Sequence, residues 1–325
     1  QMGLAVDAGS PQPIPMDLEA SARAAAWLPE AGAFRLHPGA DVLVLNPVGG
    51  LGILQALEGG ANQITAVVGN PLLLEASSAA AREEVYGHPR VRVVVEQPRV
   101  FLVRSETPYQ LIYLPLTDTY RPVSSGAFSL QEEYTLTVQG VHGMLDAAAP
   151  DGSLVITRWL QQPPSEGVRL INTAVAALYQ RGVEDPGEKV VAYRSTQTLT
   201  VLVRCRGWTA ADLDQIRRFI TEKRFDLVWA PDIQPRDTNR FNQLPAPVYY
   251  QLTRDLLGEN REQVLRENPY RLSAPSDDQP FFFHFFTWAQ TPQVLSSLGR
   301  TWKPFGGSAY LVLLAILGLV IVFSG

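Results

Sequence analysis

The residues best placed to do chemistry in this chain are three glycines, Gly49, Gly50 and Gly52, which follow the apolar run Asp41–Leu45 and open the apolar stretch 51–57. A strand that feeds a glycine turn and then a helix lets the backbone approach a ligand and aims the helix's free N–H groups at it. With a second apolar run at 64–68, the spacing predicts the opening of a nucleotide-binding βαβ unit. About 20 residues past the glycines such units place an acid on a ribose; here that place holds Gly69. The acids nearest in pattern are Glu96, after a third apolar run, Asp118, after a fourth, and Glu132 with Glu133. His37, His88, His142 and His284 have no paired spacing, so no metal site is expected. Asp277 and Asp278, before Pro280, read as a helix-entry cap or an arginine partner rather than a metal pair. No Ser/His/Asp arrangement and no phosphate-binding lysine loop is present. Cys205 stands alone in an apolar strand context, which excludes an internal disulfide and predicts a buried small side chain in a reducing compartment.

The elements that must position these residues follow from periodicity. Strands are expected at 41–45, 64–68, 90–96, 109–114 and 153–159, alternating with helices at 51–57, 71–86, 98–104, 130–146 and 165–181. A hairpin at 190–193 and 198–204 closes the series. Five β-then-α steps and a hairpin predict an α/β fold: a doubly wound, Rossmann-like, mostly parallel sheet with an antiparallel edge strand, the layout of methyltransferase-like folds. Its crevice lies at the C-terminal ends of the first four strands. Beyond Trp208, Thr209 and Asp212 form a capping box for a helix to about Lys223, and Pro231, Pro235, Pro245 and Pro247 mark a wrapped loop before helices at 248–257 and 261–266. With 46% hydrophobic residues the chain can bury a sizeable core, and a net charge of -5 with pI near 5.5 argues against nucleic acid as a partner.

The carboxyl-terminal part reads differently. Residues 308–325 carry no charge, which predicts the start of a truncated transmembrane helix, with Trp302 and Tyr310 in an interfacial belt. Arg300 and Lys303 precede it, so the positive-inside bias expects the soluble part on the cytoplasmic side of the cell inner membrane. Its partners would be membrane lipid, other transmembrane helices and subunits of a membrane complex. Phe281, Phe282, Phe285 and Trp288 are spaced as one helical face, and that stripe is expected against the bilayer surface or adjoining helices.

Taken together, the pieces VLVLNPVGGLG, HPRVRVVVE, YQLIYLPLTDTY, FSLQEEYTLTV, PDGSLVITRW and DDQPFFFHFFTW resemble, over residues 41–288, the spermidine and spermine synthase family. The likeness is to large bacterial membrane proteins in which a synthase-like domain sits beside transmembrane helices. It implies a lead-in at 1–40, a synthase-like domain at 41–207, a helical and proline-rich extension at 208–288, a juxtamembrane linker at 289–307 and the span at 308–325. It also implies S-adenosylmethionine or its decarboxylated form as cofactor, held by Gly49, Gly50, Gly52 and Glu96, with Asp118 as the catalytic carboxylate. An active member would move an aminopropyl group to a polyamine, or a methyl group. Glu132 and Glu133 would then join Asp118 in an acidic cradle, although two glutamates at a helix start are equally what the helix dipole favours.

The departures from the family pattern point the other way. Where the family has a D-S-S-D run this chain reads Pro115, Leu116, Thr117, Asp118, so the first aspartate is missing. Losing a base costs roughly 10²- to 10⁴-fold in rate, and losing a ribose carboxylate at Gly69 costs roughly ten- to a hundredfold in affinity. The sequence therefore predicts a degenerate site in a structural, regulatory or accessory module, a pseudoenzyme, with weak adenosyl binding that Gly69→Glu should strengthen.

Overall fold

The structure, a computed structural model, describes residues 3–4, 12–15, 17–81, 83–118, 120, 130–290 and 309–324. A short antiparallel ribbon, β1 (Gly3–Leu4) with β2 (Gln12–Pro13), precedes helices α1 (Leu18–Ala25) and α2 (Ala31–Leu36). The main sheet starts at β3 (Asp41–Leu45), apolar on both faces and buried from Val42 onward. Chain order continues through α3 (Leu51–Glu58), β4 (Gln63–Val68), α4 (Pro71–Ala81), α5 (Glu83–Tyr86), β5 (Val91–Val95), α6 (Pro98–Arg104) and β6 (Tyr109–Leu114). Then come α7 (Val138–Asp146), β7 (Ala148–Trp159), α8 (Glu166–Gln180), β8 (Val190–Arg194), β9 (Thr198–Val203), α9 (Ala210–Lys223), β10 (Asp226–Trp229), α10 (Val248–Leu257) and α11 (Arg261–Glu267).

The eight strands lie in the order β10-β8-β9-β7-β6-β3-β4-β5. From β7 to β5 neighbours are parallel, whereas β9, β8 and β10 each join antiparallel. The order reverses between β3 and β6, which opens a crevice outside their carboxyl ends. Counted from β3 as first, the sheet reads 3-2-1-4-5-7-6 with one strand beyond, the α/β methyltransferase arrangement. Strand residues alternate faces: Leu43, Leu45, Ile112, Leu154 and Ile156 share one core with α7 and α8, and Val42, Val44, Leu111, Tyr113 and Val155 share another with α2 and α9.

Three differences from the periodic reading have local causes. The expected helix 130–146 begins only at Val138, because the Thr137 hydroxyl accepts the Gly140 N–H (3.0 Å) as an N-cap, and Tyr134–Leu136 before it is a 3₁₀ turn. Strand β7 begins at Ala148 and absorbs the expected turn at 150–152 with a register shift against β6. Strand β10, too short for a periodic signal, pairs with β8 from within the stretch beyond Trp208.

A carboxyl-terminal helix, Ala309–Ser324, lies where the uncharged stretch begins; among the described residues no helix is long and apolar enough to cross a membrane.

Candidate functional site

The glycine turn forms as its residue types require. Gly49 and Gly50 take φ of +78° and +82°, and Gly50 caps α3. Asn46 also turns left-handed, at φ +49°, which asparagine tolerates because its short amide bonds locally. The turn is anchored by its own protein. The Gly49 N–H donates to the Ser77 hydroxyl of α4 (3.2 Å), and the Tyr86 hydroxyl donates to the Pro47 carbonyl (2.7 Å). Burial pushes the Tyr86 phenol up to about 12, so it remains a donor. At Gly52 an added Cβ would stand 3.2 Å from the Pro115 ring, which shows how closely the loop after β6 packs on the first turn of α3.

At the ribose place, amide side chains bridge the ends of three strands. Asn46, beyond β3, accepts the Gly69 N–H at the end of β4 (3.0 Å). Gln97, beyond β5, donates its amide to the Gly69 carbonyl (2.9 Å). A Cβ on Gly69 would lie 3.0 Å from Gln97 Oε1 and 3.3 Å from Asn46 Oδ1. Both polar groups of Gly69 are thus engaged, and a side chain added there meets the ends of Gln97 and Asn46, which must give by a few tenths of an ångström. Glu96, expected at the adenine side, instead accepts from Arg104 (2.6 Å). These residues do not fit an adenosyl group: the described ribose side offers no carboxylate, and its backbone donor is spent.

The other half of the crevice is organised by an arginine that the sequence reading passed over. Arg158, near the end of β7, is buried, and its guanidinium donates to both carboxylate oxygens of Asp118 and, through Nε, to Glu166 in the first turn of α8 (2.6 Å). Burial opposes the Arg158 charge, but the two carboxylates outweigh it and hold its pKa above the ordinary value. Glu166 moves up to about 7, through its own burial first, against the pull of Arg158, with Asp118 adding repulsion. One guanidinium facing two carboxylates leaves a net negative charge, and the more buried acid gives way. Asp118, the expected base, is thus held at both oxygens. Glu132 and Glu133 do not join it: Glu133 accepts the Thr135 N–H (3.1 Å), and Glu132 accepts from the Tyr134 hydroxyl (3.2 Å).

Residues 272–286 lie as a non-helical strap across this end of the sheet. The Val138 N–H donates to the Pro275 carbonyl (2.9 Å) and the Glu133 N–H to that of Pro280 (2.7 Å). Asp277 accepts from Arg99 (2.8 Å) and from the Thr137 hydroxyl (2.6 Å), the arginine partnership expected for it. Arg169 of α8 supplies the centre. It is buried, stacks on Phe282 and Phe285, and donates to the carbonyls of Ser273 (2.9 Å), Phe281 (3.1 Å), Phe282 (2.6 Å) and His284 (2.8 Å). The aromatic stripe is a correction to the expected helical face. Phe282 and Phe285 point into the protein, at 0% and 4% exposure, while Trp288 is 60% exposed on a 3₁₀ turn. The helical spacing was present without a helix, because Arg169 binds carbonyls that an α-helix would use internally.

No family model and no curated protein matches the chain. Among solved structures it is similar to the spermidine synthase of Thermotoga maritima, at 13% identity and TM-score 0.40 over 75% of this chain and 73% of that one. It is similar also to a spermidine synthase in complex with the transition-state analogue AdoDATO, at 12% identity and TM-score 0.38 over 72% and 70%. A third likeness is to human methyltransferase-like protein 13 in complex with SAH, at 12% identity and TM-score 0.38 over 63% and 90%. The fold is that of the spermidine synthases and S-adenosylmethionine-dependent methyltransferases. Strand order carries that statement, and likenesses this distant add nothing about activity. Each half of the crevice holds its own cross-link: the Asn46–Gly69–Gln97 bridge at the ends of β3, β4 and β5, and Asp118–Arg158–Glu166 under Phe282 and Phe283 beyond β6 and β7.

Proposed function

We propose that this chain is a non-catalytic methyltransferase-fold module that serves a structural, regulatory or accessory role in a membrane protein or complex. The observation that supports this most is the engagement of both Asp118 oxygens by Arg158, since a carboxylate paired that way is a poorer acceptor for the proton of an attacking amine. Calorimetry of the full chain with S-adenosylmethionine, its decarboxylated form and methylthioadenosine should show no binding in the micromolar range or tighter. Gly69→Glu should not improve it, because the new side chain meets Gln97 and Asn46. A micromolar dissociation constant for any of the three would sink this reading.

Membrane attachment rests on the helix Ala309–Ser324. Its described side chains at 314–323 are all exposed, including Leu317, Val320, Ile321 and Phe323, and none is charged. An apolar surface running all round a helix is costly in water and is stabilised in a bilayer or among other apolar helices, at about 25 cal/mol per Å². With Arg300 and Lys303 preceding this helix, the positive-inside bias favours a folded part on the cytoplasmic side of the inner membrane. The full chain should float with phosphatidylglycerol-containing vesicles, and a Leu317→Asp, Val320→Asp double variant should stay at the bottom of the gradient. Flotation unchanged by the two aspartates would refute attachment through this helix.

One observation favours a second reading, an aminopropyl- or methyltransferase with a relocated base: Glu166, with its pKa raised to about 7, has the poise of a general base. Its oxygens accept from Arg158 and from Gln161 (2.6 Å), and its side chain is 2% exposed, so substrate would reach it only if α8 and the strap moved apart. Transfer of a labelled aminopropyl or methyl group that is lost in Glu166→Gln would favour this alternative.

A further inference from the structure

The sheet ends at β5, and that end is unusually bare. In a parallel ladder alternate residues bond to the neighbour. Ile64 N–H donates to the Arg90 carbonyl (2.8 Å) and Glu96 N–H to that of Val68 (3.2 Å), which fixes the parity. Residues 90, 92, 94 and 96 face β4, and residues 91, 93 and 95 turn their backbone groups outward. Val91 N–H is used by the His88 carbonyl (2.8 Å). Among the described residues nothing bonds to the N–H or C=O of Val93 or Val95. Free edges are ordinarily blunted by charged side chains, proline or a bulge; Val91–Val95 has neither proline nor bulge and carries a single charge, Arg92. Val95 is 52% exposed, and Val100 and Val103, on the helix that follows, are 48% and 84% exposed.

We propose that two copies of this chain join edge to edge through β5, antiparallel, with Val93 of each opposite Val95 of the other. Three observations select that register. It uses every free outward group of the strand, giving two hydrogen-bonded pairs related by a twofold axis through Val94. A shift by two residues in either direction leaves only one such pair made from free groups, because Val91 N–H is already committed. The same register sets Arg92 of each copy directly across from Glu96 of the other, on one face of the joined sheet. Arg92 is exposed and has no ion-pair partner among the described residues, while Glu96 takes Arg104 through Oε1. Opposite charges directly across a non-hydrogen-bonded pair attract at about 4.5 Å between Cα atoms, whereas like charges there repel. The other two registers would set Arg92 across from Val94 or Pro98.

Sedimentation equilibrium of the full chain in detergent, at micromolar concentrations, tests this. The wild type should dimerise. Arg92→Glu, which faces Glu96 with a like charge, should raise the dimer dissociation constant about tenfold or more. Arg92→Glu combined with Glu96→Arg should restore it, a recovery that a mere folding defect would not show. Val93→Pro removes an outward N–H that the monomer does not use, so it should abolish the dimer while leaving the thermal melt of the monomer little changed. If that variant fails to fold, the charge-swap pair still decides. A wild type that stays monomeric overturns the proposal. So does a dimer indifferent to Arg92→Glu, as association through the terminal helix would be, or a charge swap that fails to rescue.

Discussion

Arg169→Met should destabilise the protein by about 3–5 kcal/mol, through the buried carbonyls that lose their donor. The guanidinium is 2% exposed and has no carboxylate among the described residues; its charge is met by four carbonyls of the strap. Burial first, then the positive charge of Arg271, pulls its pKa down to about 9, which still leaves it charged at neutral pH. Methionine would fill the stem's volume between Phe282 and Phe285 and leave the four carbonyls without their donor. Each unsatisfied buried acceptor costs roughly 1–3 kcal/mol before relaxation, and the strap's freedom to peel away caps the total. Peeling has its own consequence. Phe282, which belongs to the main core, and the face of Arg158 would meet water, so the strap should become protease-sensitive. Arg169→Lys should fall between, since one ammonium has three donors and no planar fork to reach both Ser273 and the turn at 281–284. Urea denaturation with parallel limited proteolysis measures both effects. A loss below about 1 kcal/mol would mean that the carbonyls find other partners and that Arg169 is not what holds the strap.

How much of this was legible in the sequence depends on whether a feature announces itself locally. Strand β3, helix α6 and strand β6 lie where the apolar runs place them, and the Thr209–Asp212 capping box is formed, because period and cap chemistry act over a few residues. The glycine turn was legible for the same reason: Gly49 and Gly50 adopt left-handed φ that other residues resist. The contents of the crevice were not. Asn46, Gly69 and Gln97 come from three strand ends, and only strand order shows that their amides meet. Arg158 and Arg169 are ordinary arginines in sequence, 8 and 104 residues from Glu166 and Ser273, and become central only once the strap folds back on α8. The aromatic run failed for a converse reason. Spacing of four fits a helix whether or not one forms, and the decision lay with a buried guanidinium more than 100 residues away.

The Asp118–Arg158–Glu166 cluster makes a sharper statement about pH. Glu166 has its pKa raised from 4.5 to about 7 by burial in the presence of a second carboxylate. A raised carboxylate contributes stability that is complete below the unfolded value and is lost as pH climbs through the folded one. The rise of about 2.5 units corresponds to about 3 kcal/mol at 1.36 kcal/mol per unit, forfeited between about pH 4.5 and 7. His37 and His284 slope the other way: burial lowers both to about 4, so their contribution is present above the unfolded value and fades as pH falls. The raw wild-type profile therefore mixes opposed trends, and the difference between wild type and Glu166→Gln isolates the carboxylate. The amide can keep the Arg158 Nε–H bond, and Gln161 can reverse its own amide because the Ser165 hydroxyl, now its donor, can accept instead. At about pH 4, below both values, the two proteins should be about equally stable; at about pH 8 the variant should be the more stable by about 3 kcal/mol. Urea titrations at both pH values check this, and a difference that does not change with pH would mean that Arg158 neutralises both acids. The outcome also bears on Asp118. If Glu166 takes up the proton, the full charge of Arg158 is left to Asp118.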